Sequence, residues 1–544
     1  MRVSFGSTGL VLSCVHPSQE PERAAPIAAG LGINQVIGFA ADAPGALPPR
    51  RKLAALGSLI PTTGRDWTGL MLAVAALGML GFRFWRLGDS PFIQDEPIFL
   101  MTAREQLRSG HWVSASPISG TQGLRYGPSV FWFYGVVQTL FGPAPEASIA
   151  AMCIVLCLAH IALAAGLARI YGGGWLQFAT LLAFLASSPF QFIWSRLAWD
   201  QTVNLCAAWA VFLLCSRGEL RLRALLTLGL VLGYAISSHL MVIPLVACIG
   251  AVIAGEMRRS WRRLAVAAVA LGSGILLVNL PYLQFLAREP VQLTSSQTFS
   301  ASMIAQHLLQ VVRVATSAGI DYFLDEDWSQ FKRWLEVGQS LDWASNLVVV
   351  LLALSTAAGL VAGFQSNVLG RRRIALLASL CWAVYPVVYG SRSLKLHPHY
   401  EFPTYWITAA GVASFIVWLG KRRSLYGNLA ASAVLVFAFV QFAFIIALSQ
   451  FLHERGGTRG IHYSTTVAQQ EELVRVACHQ PQTTVVLQNT TRLFPVSLKY
   501  LSLVARDCEG KTLQICPPEC RPRDRSVGRL LLRYTRLQGG AVTF

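Results

Sequence analysis

Residues 67–97 read WTGLMLAVAALGMLGFRFWRLGDSPFIQDEP. The first part is apolar for long enough to cross a bilayer core as a helix, which takes about 20 residues. The second part ends on the acid pair Asp95-Glu96, followed at once by Pro97 and an amphipathic pattern. An acid pair where a spanning helix emerges points to a catalytic carboxylate at a membrane face. The same position suits a helix N-cap, since Pro97 falls in the first turn, so capping and chemistry both stay open for Asp95. Glu96 reads as a first-turn acid favoured by the helix dipole.

Further apolar stretches fall near 147–169, 175–195, 201–216, 222–237, 240–256, 264–286, 343–364, 374–390, 401–420 and 428–452, which with the first makes about eleven expected spans. Of the 544 residues 54% are hydrophobic and 13% charged, and the mean hydropathy is +0.49. A soluble domain has no way to hide that much apolar surface, so the chain reads as an α-helical polytopic membrane protein. The net charge of +18 does not call for nucleic acid. With a cytoplasmic N-terminus, Arg217–Arg223, Arg258–Arg263, Arg371–Arg373 and Lys421–Arg423 all fall on the inner side. The long loop 287–342 falls outside and holds more acids than bases.

The first outer loop, 87–146, is expected to hold two interfacial helices. One is Glu96 to Ser109, with Phe99, Ala103 and Leu107 on one face; the other is Ser129 to Phe141, apolar but short. Residues 1–62 read as a disordered cytoplasmic extension and 63–452 as the membrane domain. Residues 453–544 read as a small outer α/β domain, with helices over 466–478 and 495–505 and strands over 483–487 and 530–534. Four of the eleven cysteines, Cys478, Cys508, Cys516 and Cys520, lie in this tail, where an oxidising compartment allows two disulfides in three connectivities.

This topology brings Asp95, Asp200, His239, the 287–342 loop and Arg392–Tyr400 to one face. Ionisable groups at membrane depth are costly and tend to line a cavity. Asp200 precedes a helix, so a cap or an ion pair with Arg196 is as open as chemistry. His239 is a polar interruption at a helix end. In Arg392-Ser-Leu-Lys395-Leu-His397-Pro-His399-Tyr400, two fixed cations and two imidazoles suit an anionic lipid phosphate, with snorkelling to head groups as the alternative. The acids from Asp321 to Asp327 read as a solvated cluster or a divalent-cation site.

The run from Gln94 to Trp112, with Gly123-Leu124-Arg125-Tyr126 and Leu140-Phe141-Gly142, resembles the first outer loop of GT-C glycosyltransferases. The nearest branch is that of protein O-mannosyltransferases and of the aminoarabinose transferases that modify lipid A. The likeness continues through Ser188-Pro189, Arg196, Asp200, Gly233–Pro244 and His399-Tyr400 with Pro403, over roughly residues 67–420. It implies a GT-C-like bundle and an enzyme that moves a sugar from a polyprenyl-phosphate donor to an acceptor on the non-cytoplasmic side. Asp95 then carries over as the essential carboxylate and Asp200 as the second outer-loop acid. Arg392, Lys395, His399 and Tyr400 are expected around the donor phosphate, and Glu96, Arg125, Tyr126, Arg196 and His239 complete the substrate-binding set.

No cofactor follows from the residues, and a divalent metal is the one the resemblance leaves open. In the aminoarabinose branch a Glu-Lys pair follows the Leu-Arg-Tyr motif, and its Glu helps to hold a metal. Here Tyr126 is followed by Gly127-Pro128-Ser129. Expected partners are the lipid-linked donor, a glycolipid, polysaccharide or protein acceptor, and membrane lipids. The alternative class, a transporter or flippase, calls for charges at the bilayer midplane or internal repeats, and neither stands out.

Overall fold

The structure, a computed structural model, describes residues 64–93, 95–117, 125–215, 220–289, 301–391, 398–458, 463–479, 484–488, 495–505, 508, 512–516, 530–533, 535–536 and 542–543. The N-terminal extension expected over residues 1–62 lies outside them.

Helix α1 (Gly64–Gly81) continues through a 3₁₀ turn to Phe84, and Arg86, at φ 51°, reverses the chain towards Asp89. Two helices follow where two were expected, α2 (Asp95–Ser109) and α3 (Ser129–Phe141). The Phe99 and Phe131 rings meet edge-on at 5.1 Å, and Gln138 Nε2 donates to the Leu100 carbonyl at 2.9 Å. The buried face of α2 is Phe99, Leu100, Ala103 and Gln106, whereas Leu107, expected on that face, is exposed.

Each of the eleven apolar segments is helical, but the span count is lower than expected. Among the described residues, seven helices are long and apolar enough to cross a membrane: Asp66–Phe84, Pro145–Tyr171 (α4), Leu240–Met257, Trp261–Arg288, Ser340–Phe364, Leu369–Gly390 and Ser424–Arg455. An eighth arises if α5 (Trp175–Ala186) and α6 (Pro189–Ser195), bent by 69°, count as one span. Three of the expected spans are short helices: α7 (Thr202–Cys215), α8 (Leu222–Ser238) and Trp406–Arg422. Most of α7 is buried by neighbouring helices, so its apolar run is core rather than lipid contact.

The break between α5 and α6 follows from Ser188-Pro189: Ser188 Oγ accepts from Gln191 N and Pro189 opens the new helix. Carbonyl groups freed by such a bend need partners inside a membrane. Arg83, fully buried, donates to the carbonyls of Gln191 at 2.6 Å and Ala186 at 3.3 Å, on either side of the break. This clamp fixes where α6 ends, and hence where the 196–201 turn sits.

The alternating helices carry Asp95, Tyr126, Asp200, His239 and residues 398–404 to one end of the bundle. At the other end, Arg371 donates to the carbonyls of Ile170 and Tyr171, and Arg373 pairs with Glu256 at 2.6 Å. The tail forms helices Val467–His479 and Pro495–Val504 and a parallel sheet in the order Thr512–Cys516, Thr484–Gln488, Leu530–Arg533. Cys478 and Cys508 are joined, one of the pairings that the sequence allowed; Cys520 lies outside the described residues.

Candidate functional site

Asp95 opens α2, but the side chain that ties down the helix entry is Glu96, whose Oε2 accepts from Ile93 N at 3.1 Å. Among the described residues the Asp95 carboxylate has no hydrogen-bond or ion-pair partner. The segment before it is fastened by the tail. Tyr463 donates its hydroxyl to the Asp89 carbonyl at 2.6 Å, Val467 N reaches Ser90 O at 2.9 Å, and Gln470 Nε2 reaches Phe92 O at 3.0 Å. Burial raises the Asp95 pKa; Glu96, fully buried, is raised well above its ordinary value by burial and then by the Asp95 charge.

Asp200 sits in the turn between α6 and α7, where Tyr134 of α3 donates to the neighbouring Trp199 carbonyl at 2.5 Å. It is buried, and among the described residues its Oδ2 lacks a hydrogen-bond partner. His239 ends α8, and its Nδ1 accepts from Met241 N at 3.0 Å, so a neutral ring carries its proton on Nε2. That Nε2 faces Asp200 Oδ2 at 3.6 Å, too long for a hydrogen bond. The spacing would suit an ion pair, yet burial moves both groups towards neutrality: Asp200 up to about 8 and His239 down to about 3. The desolvated, neutral reading is the one the geometry favours: His239 Nδ1 accepts a hydrogen bond that a charged ring could not, and burial outweighs the bond that the Asp200 carboxylate takes from its own backbone N–H.

Tyr126 closes the cluster, its ring 4.4 Å from that of His239. Burial, then Asp200, Tyr400 and Asp95, raise its pKa, which puts all three within electrostatic range of its phenol. Gly127 makes this possible: a Cβ there would lie 2.6 Å from Ser237 Oγ, 2.7 Å from Ser237 O and 2.8 Å from Ser237 Cα. Ser129 Oγ and Ser237 Oγ add a 2.6 Å hydrogen bond, so the 126–129 loop lies directly on the end of α8. On the far side of His239, Tyr385 and Tyr389 donate to the Met241 carbonyl at 2.9 and 3.3 Å.

Asp95, Asp200, His239, Tyr126 and Tyr400 therefore come together, with Glu96 beside them. Two of the expected residues turn elsewhere. Arg196 donates through Nε to Ser90 Oγ at 3.1 Å and through its guanidinium to the Arg86 carbonyl, and the expected alternative of an Arg196–Asp200 ion pair is not formed. Arg125 is part-exposed, 3.7 Å from Glu289 and stacked over Phe285. Arg392 and Lys395 lie outside the described residues, as does the side chain of His399. Sequence reasoning missed a buried pair, His307 Nδ1 to Glu401 Oε1 at 2.9 Å, directly beside Tyr400.

A metal at the position after Tyr126 does not fit these residues. Gly127 stands against Ser237 with no room for a Cβ, and among the described residues no three His, Cys, Asp or Glu side chains stand within reach of one ion. The acids of the long loop have basic neighbours: Asp321 with Arg313 at 3.5 Å, buried Asp327 with Arg455 at 3.7 Å, and Asp342 with Lys332 at 2.5 Å.

No family model and no curated protein matches the chain. Among solved structures, the chain is similar to the crystal structure of ArnT from Cupriavidus metallidurans bound to undecaprenyl phosphate. The TM-score is 0.48 and the identity 15%, over 83% of this chain and 86% of that chain. It is also similar to the apo state of the same protein, with TM-score 0.48 and 14% identity over 85% and 90%.

Proposed function

We propose that the chain is an integral membrane glycosyltransferase. It takes a sugar from a polyprenyl-phosphate donor of the undecaprenyl or dolichyl type and passes it, with inversion, to an acceptor hydroxyl at the outer face. The observation that carries the reading is the Asp95 carboxylate, without a partner among the described residues and grouped at one end of the bundle with Asp200, His239 and Tyr126. Asp95 acts as general base: the acceptor oxygen attacks the anomeric carbon, its proton passes to Asp95, and the bond from that carbon to the lipid-phosphate oxygen breaks. General-base assistance of this kind is worth about 10²- to 10⁴-fold. The leaving phosphate takes its charge stabilisation from Arg392, Lys395 and the His399-Tyr400 pair. Asp200 and His239 Nε2–H hold sugar or acceptor hydroxyls, and Tyr126 offers them a flat face. The outer-face assignment rests on the basic clusters at the opposite end.

Asp95→Asn enzyme in liposomes, supplied with polyprenyl-phosphate sugars, should lose transfer by at least the general-base factor while remaining folded. Near wild-type transfer would remove Asp95 from the role. Comparing lipid extracts of cells with and without the gene by mass spectrometry identifies the sugar and acceptor through one missing increment.

A further inference from the structure

His307 lies on the helix Ala301–Arg313 of the long loop, and Glu401 on the 3₁₀ stretch Pro398–Thr404 that carries Tyr400. Both side chains are fully buried and meet at 2.9 Å, and Thr404 Oγ1 is 3.4 Å from the other Glu401 oxygen. His307 Nε2 is buried without a hydrogen-bond partner among the described residues. The helix is itself held on the span Leu369–Gly390: Trp382 Nε1 donates to the Leu308 carbonyl at 2.9 Å, and Gly390 lets Ile304 approach so closely that a Cβ would lie 2.4 Å from its side chain.

Tyr389 joins this pair to the site. Its ring is 5.5 Å from that of His307 and 5.4 Å from that of Tyr400, and its hydroxyl reaches the carbonyl of Met241, whose N–H fixes the His239 tautomer. A displacement of Glu401 therefore reaches Tyr400 directly and His239 through Tyr389.

Burying two ionisable groups is a poor route to stability, since a well-packed apolar pair of similar volume usually does as well or better. The pair's distinctive property is directional: a 2.9 Å hydrogen bond from the helix Ala301–Arg313 sets the orientation of the 398–404 stretch that carries Tyr400. We infer that His307 and Glu401 are positioning residues that hold the Tyr400 segment in the geometry that binds the donor's lipid phosphate. This rests on the glycosyltransferase reading above.

The probe is undecaprenyl phosphate, titrated against the full-length protein in detergent, with the melting temperature measured in parallel. The double variant His307→Leu/Glu401→Met should melt at or above the wild-type temperature yet bind undecaprenyl phosphate about 10-fold or more weakly, as expected for a misplaced contact. Glu401→Gln, which keeps an acceptor for His307, should bind like wild type. Glu401→Asp, one methylene too short to reach, should lose affinity with the fold retained, and it tests the idea even where the double variant does not fold. Wild-type affinity in the double variant or in Glu401→Asp, or a loss in Glu401→Gln equal to theirs, overturns the inference. Should the wild-type protein itself neither bind undecaprenyl phosphate nor transfer from a polyprenyl-phosphate sugar, it is the glycosyltransferase reading that fails.

Discussion

Replacing Gly127 by Ala tests whether the contact between the 126–129 loop and α8 sets the site geometry. The added Cβ would lie 2.6–2.8 Å from three atoms of Ser237, two of them backbone. Rotating the Ser237 hydroxyl relieves only the first clash, and it gives up the 2.6 Å bond to Ser129 Oγ. The backbone clashes remain, so the loop must retreat by about 0.7 Å to reach ordinary van der Waals separation. Overpacking of this kind costs about 1–3 kcal/mol. Tyr126 is the neighbouring residue and His239 lies two positions beyond Ser237, so the retreat opens the 4.4 Å ring contact. A misplacement approaching 1 Å at reacting groups lowers rate by up to about 10²-fold, and the expectation for Gly127→Ala is a fall of about 10- to 100-fold in kcat/KM. Transfer kinetics in proteoliposomes and thermal unfolding in detergent measure both effects. Gly78→Ala is the control, because its Cβ would meet nothing within 4 Å and a helical Gly→Ala exchange is neutral or mildly stabilising. Wild-type kinetics and melting temperature in Gly127→Ala would refute the idea that this contact positions Tyr126 and His239.

The site should also shape the pH dependence of stability. Asp200, raised to about 8 when folded, contributes stability that is full below about pH 4 and is lost as pH rises towards 8. His239, lowered to about 3, contributes stability present above about pH 6.5 and lost as pH falls towards 3. Their slopes cancel between, so urea or thermal midpoints should plateau over about pH 4–6.5; Asp200→Asn should remove the alkaline decline and His239→Gln the acid one, and unchanged profiles would contradict the assignment. Asp200→Asn should also retain more transfer activity at pH 7 than Asp95→Asn, the reverse order counting against a neutral Asp200. Arg83→Met strands the carbonyls of Ala186 and Gln191, each charge-assisted bond being worth about 1.5–3 kcal/mol, and should lower the melting temperature sharply; melting like wild type would show that the bend needs no clamp. Cys478→Ser opens a loop of 30 residues and should destabilise the tail by about 3–4 kcal/mol, read as earlier proteolysis of the tail in the variant than in the oxidised protein.

The helices were legible because apolar runs in a chain this hydrophobic have few other fates. Which of them cross the membrane was not, since hydropathy reports apolarity and not whether lipid or protein supplies the surroundings. Thr202–Cys215 is as apolar as a span, yet neighbouring helices bury most of it. Asp95 stood out because an acid at a helix emergence is costly, and His239 because it interrupts an apolar run. The expected alternative of an Arg196–Asp200 pair failed for a geometric reason: a spacing of four brings side chains together on one continuous helix, whereas α6 ends at Ser195 and the chain turns before Asp200. Tyr126 over His239 and His307 against Glu401 join elements far apart in sequence, and no local pattern announces them. Gly127 stood out in the sequence only as a departure from the resembled motif, and its close approach to Ser237 was not legible there.

Asp95, Glu96 and Asp200, three of the carboxyl groups at this end of the bundle, are distinguished by their surroundings rather than by their chemistry. Glu96 is fully buried next to Asp95, and adjacent carboxyls resist ionising together, so the pair's negative charge belongs on the less buried member, Asp95. Burial raises Asp95 as well, which makes its anion a stronger proton acceptor than a carboxylate in water. Asp200 is disfavoured as an anion first by burial and then by the Asp95 charge, and the Nε2–H of neutral His239 stands too far away to offset that cost. Of these three, Asp95 is the carboxyl whose anion its surroundings disfavour least. On the proposed reaction this divides the work: Asp95 takes the acceptor proton, while protonated Asp200 donates a hydrogen bond to a substrate oxygen, as two acids in unlike environments do when each serves a different step. As Asp95 accepts its proton the anion is neutralised, and the part of Asp200's upward shift that comes from the Asp95 charge, smaller than that from burial, falls with it. Proton transfer at one carboxyl is thereby coupled to the charge state of the other.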